Sequence, residues 1–291
     1  MSSPEQAPFP VTSPPGALMA RPPPARPPAA PRPAAAGTRR GVPGGLTVTA
    51  LSLLTLLGAW QLAGTVSGSA FPPPAATARA LAAASGDGYL WTDLAHTLAR
   101  LVLAFILGFA ASAVVGILVG RSGLAYRFFG MWLTIGASTP ALLVVVACYL
   151  AIGISDWAAV LAAAVIVIPG TAAAICDGVR ATDPGLSEMA RLYGASPGSV
   201  LRQVVLPQAA PWIFTAARSC WSLTWRIMVF VEVIGRPDGV GYRIQYWFQL
   251  ADMPRAIASA VPLIAVVVLV DVAVLRTIER RIARWRPTEL R

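Results

Sequence analysis

Long apolar runs broken by turn and charged residues set the pattern of this chain. Six runs, 46–64, 97–119, 128–150, 157–178, 208–235 and 256–276, approach or exceed the ~20 helical residues needed to cross a bilayer core. They predict an all-α polytopic membrane protein with six transmembrane helices. At 56% hydrophobic and 12% charged residues, a water-soluble fold would expose too much apolar surface.

One polar interruption is longer and more ordered than the rest. The stretch "DPGLSEMARLYGASPGSVLRQVVLP", 183–207, lies between the fourth and fifth runs. Asp183 is a good N-cap and Pro184 a good first helical residue, because proline lacks only an N–H that would be unpaired there. Gly194 suits the left-handed position that closes a helix. Leu186, Met189, Ala190 and Tyr193 recur at i, i+3, i+4 and i+7, giving one apolar face. The helix is too short to cross a membrane. Its polar face, with Ser187, Glu188 and Arg191, is poor in the basic residues that hold a helix to anionic lipid, so docking against protein is expected. Ser196-Pro197 repeats the cap-and-start pattern, and Leu206-Pro207 is expected to mark a turn into the fifth span.

Charge orients the spans. All 23 basic residues are arginine and the net charge is +10, which alone would suit a nucleic-acid partner. Placement at the ends of apolar segments favours a membrane-orienting role instead: with the N-terminus inside, 16 arginines fall on cytoplasmic segments and 4 outside. The positive-inside bias puts both termini and 183–207 in the cytoplasm of a cell-membrane protein. Trp60, Trp91, Trp157 and Trp247 then mark the outer interface, and Trp132, Trp212 and Trp285 the inner one.

This gives a Pro-rich disordered tail over 1–45 holding half of the 26 prolines, a first transmembrane helix over 46–64, an external linker over 65–94, a membrane core over 95–278 and a basic cytoplasmic tail over 279–291. Arg39-Arg40 before an apolar run also fits a twin-arginine signal, but the further spans favour a retained first helix. Cys148, Cys176 and Cys220 stand alone in apolar stretches and read as packing residues. His96 has no companions at metal-ligand spacing.

Two features inside the spans carry more information. Ala104, Gly108, Ser112, Gly116 and Gly120 form a strip of small residues at intervals of four, which allows close helix packing. In the fifth span, Arg218, Trp221, Ser222, Trp225, Val229 and Glu232 share one helical face, with Arg226 at its edge. Ionisable residues facing lipid are costly, so this face is expected to point to the bundle interior or an aqueous pathway. Arg218 or Arg226 would attract an anion there, or Arg218 and Glu232 would hold helices together. Asp271 is a candidate partner for an arginine, and Pro140 and Pro169 are candidate kinks.

Glu188, Ala190, Gly194, Val204, Leu206 and Pro207 resemble the loop signature of binding-protein-dependent ABC importer permeases: E-A-A, three residues, G, nine residues, I, one residue, L-P. Met189 and Val204 depart from it mildly. The resemblance runs from about His96 to Arg286, and "STPALLVVVACYLAIGIS", "LTWRIMVFVEVIG" and "GVGY" look like the corresponding segments of permeases for sulfonates, taurine, nitrate and related small solutes. Arg226 stands where those permeases more usually have an apolar residue. The resemblance implies a type I permease fold with a cytoplasmic coupling helix between transmembrane helices 4 and 5, residues 184 to 194. Leu186, Glu188, Met189, Ala190, Arg191, Tyr193, Gly194 and Pro207 would then meet an ATPase subunit. It further implies a second permease copy, two ATP-binding subunits holding ATP and Mg2+, and an extracytoplasmic solute-binding protein.

This chain has no lysine and no G-x-x-x-x-G-K-[S/T] loop, so the ATPase is expected on another polypeptide, with no catalytic role and no cofactor here. The competing classes are an ion-driven secondary carrier, for which no internal repeat is visible, and an intramembrane enzyme, for which only Ser138 and His96 offer a weak pair.

Overall fold

The computed structural model describes residues 45–67 and 71–275. The expectations for the Pro-rich tail and for the basic tail beyond Leu275 lie outside them. Among the described residues the regular structure is helical: α1 Gly45–Val66, α2 Pro74–Gly86, α3 Tyr89–Arg121, α4 Gly123–Ser138, α5 Ala141–Ile152, α6 Asp156–Arg180, α7 Pro184–Leu192, α8 Pro197–Val200, α9 Leu206–Gly235, α10 Val240–Gln249 and α11 Met253–Val270. Five-residue π-turns follow α8 and α11, at Leu201–Val205 and Asp271–Leu275.

By packing, the chain divides at residue 51 into Met1–Leu51 and Ser52–Arg291. Of the first unit, only the opening turns of α1 are described, and Val48 and Leu51 are exposed there. In the second unit, the Trp60 indole donates to the Pro72 carbonyl at 3.0 Å.

Among the described residues four helices are long and apolar enough to cross a membrane: Thr47–Val66, Tyr89–Arg121, Asp156–Arg180 and Met253–Ala273. The run expected as one span over 128–150 is instead α4 and α5, bent by 92°. Thr139 and Pro140 make that break. A residue before proline is pushed toward extended backbone, and Thr139 adopts ψ 129°. Counted as one crossing, the pair brings the total to five rather than six. The remaining candidate, α9, has 30 residues, length enough for a crossing, but its charged and polar residues keep it outside that apolar group.

Leu206-Pro207 is not a turn. Val205 and Leu206 keep helical dihedrals, so the chain runs as one continuous helical path from Pro197 into α9. Pro207 removes a donor and crowds the carbonyl four residues back, and the wider π-turn just before it accommodates both.

At the centre, α3 packs along α6. A Cβ on Gly108 would lie 2.6 Å from Val167 Cγ2, one on Gly116 would lie 2.6 Å from the Ala172 carbonyl oxygen, and one on Gly120 would lie 2.9 Å from Val179 Cβ. Ser112 donates to the Gly108 carbonyl at 2.6 Å and, like Ala104, is fully buried. Where lipid is as apolar as leucine, such backbone proximity supplies the dispersion contact that holds helices together. Pro169, within α6, does not break it.

Candidate functional site

Three regions concentrate the chemistry, one along α9 and one after each end of α6. Beyond its C-terminal end lies α7. Asp183 accepts from the Gly185 N–H at 2.8 Å, and its own N–H donates to Gln208 Oε1 at 3.0 Å, tying the start of α7 to α9. At the other end the Ala195 N–H reaches the Ala190 carbonyl at 3.0 Å and the Gly194 N–H reaches the Arg191 carbonyl at 2.9 Å. With Gly194 at φ +81°, this is a Schellman closure, which needs a left-handed residue at that position.

The sides of α7 face different surroundings. Ala190 packs against the cluster containing Ile175, Val179, Val200 and Val205. Ser187, Glu188 and Arg191 line a cavity of about 330 Å³ with Arg121 and Arg180. Leu186 and Met189 are 43% and 50% exposed, and Leu192 and Tyr193 are 88% and 87% exposed. The structure therefore separates Ala190, which faces its own chain, from the other apolar residues expected beside it, and adds Leu192 to the outward set. Pro207 is exposed on the first turn of α9.

On α9, the residues grouped by periodicity divide. Trp221 is buried, edge-on to Phe105 with ring centroids 5.4 Å apart, and Trp225 is packed against the same core. Glu232 is wholly buried. Arg218 makes a two-pronged ion pair with Asp271, Nε to Oδ1 at 3.0 Å and Nη2 to Oδ2 at 2.9 Å. Arg226 is exposed, its guanidinium 5.7 Å from the Trp225 ring centre. A cavity of about 500 Å³ is lined by Arg218, Ser219, Ser222, Leu223, Arg226 and Asp271. The open face is thus rotated from the expected one: Arg226 and Ser219 belong to it, Trp221 and Glu232 do not.

At the other end of α6, sequence reasoning missed an ionic network. Arg100 donates to Asp156 (2.6 Å), Glu232 (2.9 Å) and Asp238 (2.6 Å). Glu232 also accepts from the Thr97 hydroxyl and the Gly241 N–H, and Thr97 Oγ1 accepts from the Val240 N–H. Arg236 joins Asp156 at 2.9 Å, His96 Nδ1 lies 3.1 Å from Asp238, and Asp93 pairs with Arg243 at 2.6 Å. Burial alone would raise the Asp238 carboxyl, but the Arg100 hydrogen bond and the charges of Arg100, Arg236 and His96 outweigh it and hold it below its ordinary value. Glu232 therefore ties α9 to α3 and α10 rather than opening onto a cavity. The available signal was its cost, since an ionisable residue in an apolar run needs a partner.

Comparison with known proteins agrees with this architecture. The family described as the binding-protein-dependent transport system inner membrane component matches residues 108–284. A probable ABC transporter permease protein of Brucella abortus (strain 2308) is 25% identical over 242 residues, covering 83% of this chain and 96% of that protein. The taurine transport system permease protein of Escherichia coli (strain K12) is 26% identical over 248 residues, covering 82% and 90%. A chain of the MetNI methionine ABC transporter in an inward-facing conformation shares the fold, with TM-score 0.58 at 24% identity over 67% of this chain and 96% of that one. The matched segment covers well over half of the 291 residues, and the chain belongs to the inner-membrane component family of binding-protein-dependent transport systems, the permease subunits of ABC importers.

Proposed function

We propose that this permease carries a small anionic solute of the sulfonate, taurine or nitrate kind into the cytoplasm, and that α7 is the coupling helix through which ATP-binding subunits drive it. The observation that carries the reading is the outward apolar side of α7. Leu186, Met189, Leu192 and Tyr193 are exposed on a helix capped at both ends, a rigid apolar surface left open among the described residues. A groove on an ATP-binding subunit would bury it, and nucleotide-driven closure would then bias the spans through differential contacts at this helix. The assembly is two copies of this chain, two ATP-binding subunits holding ATP and Mg2+, and an external solute-binding protein, with both termini of the permease in the cytoplasm. The anion assignment draws on the taurine transport relative and on the arginines of α9.

The test is reconstitution of the permease with its genomic-neighbour ATP-binding subunits and binding protein in proteoliposomes. Uptake of radiolabelled taurine or another sulfonate that the binding protein retains should require ATP on the α7 side of the membrane. Uptake that continues without the ATP-binding subunits would instead support the ion-driven carrier.

A further inference from the structure

We propose that Arg226, Ser222 and Ser219 form an oxyanion-binding station on α9 for the transported solute, and that the Arg218–Asp271 pair is a charge-neutralised step between that station and the cytoplasm. The inference rests on the anion-importer reading above and adds a place for the anion. At about 100° per residue, positions 218, 219, 222 and 226 fall within about 100° of helix circumference, and all four line the 500 Å³ cavity. That volume lies in the range of small-molecule sites, about 300–1,000 Å³.

Three observations mark a site rather than a polar stripe. Arg226 is exposed in the middle of α9, a 30-residue helix in a chain of an inner-membrane family, and among the described residues no carboxylate pairs with it. Arg100, Arg218, Arg236 and Arg243, by contrast, all have one. A cation in that position is costly against lipid and requires water or an anion.

The serines also differ from their counterparts. Ser112, Thr215, Thr224 and Ser259 all return their hydroxyl to the carbonyl four residues earlier. Among the described residues neither Ser219 nor Ser222 does so, which leaves two hydroxyl donors in the cavity. A guanidinium fork matches two oxygens of a sulfonate, and Ser222, one turn away, can donate to the third.

Finally, Arg218 lies eight residues and about 12 Å nearer the start of α9, on the α7 side. Asp271 already occupies its fork, so its pull on an anion is weaker than that of Arg226. Affinity therefore falls along the route inward, which favours release.

The experiment uses the full-length permease with its ATP-binding subunits in nanodiscs of zwitterionic phosphatidylcholine, with Cys148, Cys176 and Cys220 replaced by alanine and Ser222→Cys introduced. Modification rates are compared for anionic 2-sulfonatoethyl and cationic 2-(trimethylammonio)ethyl methanethiosulfonate. The anion-to-cation rate ratio should fall on the order of tenfold when Arg226→Gln is added and be retained in Arg226→Lys. Methanesulfonate should slow the anionic reagent only when residue 226 is basic. Ser219→Cys supplies a second position if Ser222→Cys assembles poorly. Inertness of both cysteines, a ratio indifferent to Arg226, or absence of methanesulfonate protection would overturn the station. Loss of the preference when phosphatidylglycerol is added would overturn it too, by assigning the site to lipid headgroups. ATP-driven uptake of the sulfonate that the binding protein retains, read for the same variants in proteoliposomes, separates the two failures: absence of sulfonate uptake with Arg226 intact defeats the anion-importer reading, and uptake without a charge preference at Arg226 defeats only the station.

Discussion

Arg100 and Glu232, 132 residues apart in sequence, meet at 2.9 Å with side-chain exposures of 5% and 0%. This pair binds the first half of α3 to the end of α9. Arg100→Met would leave a fully buried carboxylate supported only by Thr97 and the Gly241 N–H, and breaking such a pair costs about 3–5 kcal/mol. Adding Glu232→Leu removes the stranded charge. The double variant should therefore unfold at a higher temperature than Arg100→Met alone, measured on the purified protein in nanodiscs; a double variant whose loss is the sum of the Arg100→Met and Glu232→Leu losses would show that the pair is not coupled.

Asp238 gives the network a pH limit. Its carboxyl is held below the ordinary 3.8, so its contribution to stability is complete above that value and is lost as pH falls through the lower folded value. The groups facing it are Arg100, Arg236 and His96. The unfolding temperature should drop on acidification between about pH 5 and pH 2, and Asp238→Asn should flatten that drop while lowering stability at neutral pH.

The ends of α7 were legible because caps act over a few residues: Asp183, Pro184 and Gly194 mark them in sequence and in structure. The network was not legible, since nothing in the spacing of Arg100, Asp156, Glu232 and Asp238 says which charges will meet across separations of 56 to 138 residues. The face of α9 was half legible. Periodicity placed Arg218, Ser222 and Glu232 on one face with Arg226 at its edge but could not say which arc of that face the chain itself satisfies. Glu232 lies on the bonded arc and Arg226 on the open one. Pro140 announced a perturbation, yet whether proline kinks, splits or is absorbed depends on neighbouring helices. Pro169 is absorbed within α6, whereas Thr139-Pro140 ends one helix and starts another.

Glycine substitutions should separate packing from propensity. At Gly116 a side chain would meet the Ala172 carbonyl and Ile175, both fixed parts of the α3–α6 contact. Gly116→Val should force the helices apart and cost about 1–3 kcal/mol. A Cβ on Gly58 of α1 would meet nothing within 4 Å. Gly58→Ala should leave stability unchanged or raise it by up to about 1 kcal/mol through helix propensity. Comparing folded yield from membranes and unfolding temperature checks both.

Gly194 should answer to backbone conformation alone. Its φ is +81°, and a Cβ added there would meet nothing within 4 Å, so a substitution is strained without being crowded. Gly194→Val should weaken the Schellman closure, reducing both ATP-binding subunit retention and ATP-driven uptake while leaving membrane insertion intact. Gly194→Asn should be milder, because asparagine tolerates the left-handed region. Equal uptake in all three proteins would remove the closure from the coupling mechanism.

The outward side of α7 supplies the last prediction. Leu192 and Tyr193 are 88% and 87% exposed among the described residues, so Leu192→Glu and Tyr193→Glu should change the unfolding temperature of the isolated permease little, within about 0.5 kcal/mol in stability. If α7 seats in a groove of the ATP-binding subunit, each variant buries a carboxylate in that interface and should lose the subunit on size-exclusion chromatography, the double variant more than either single one. Ala190→Glu should act differently: Ala190 packs against the buried cluster that contains Val179, Val200 and Val205, so its charge would destabilise the permease itself. A subunit-binding loss confined to Ala190→Glu would mean that α7 serves the permease's own packing and that another surface couples it to ATP.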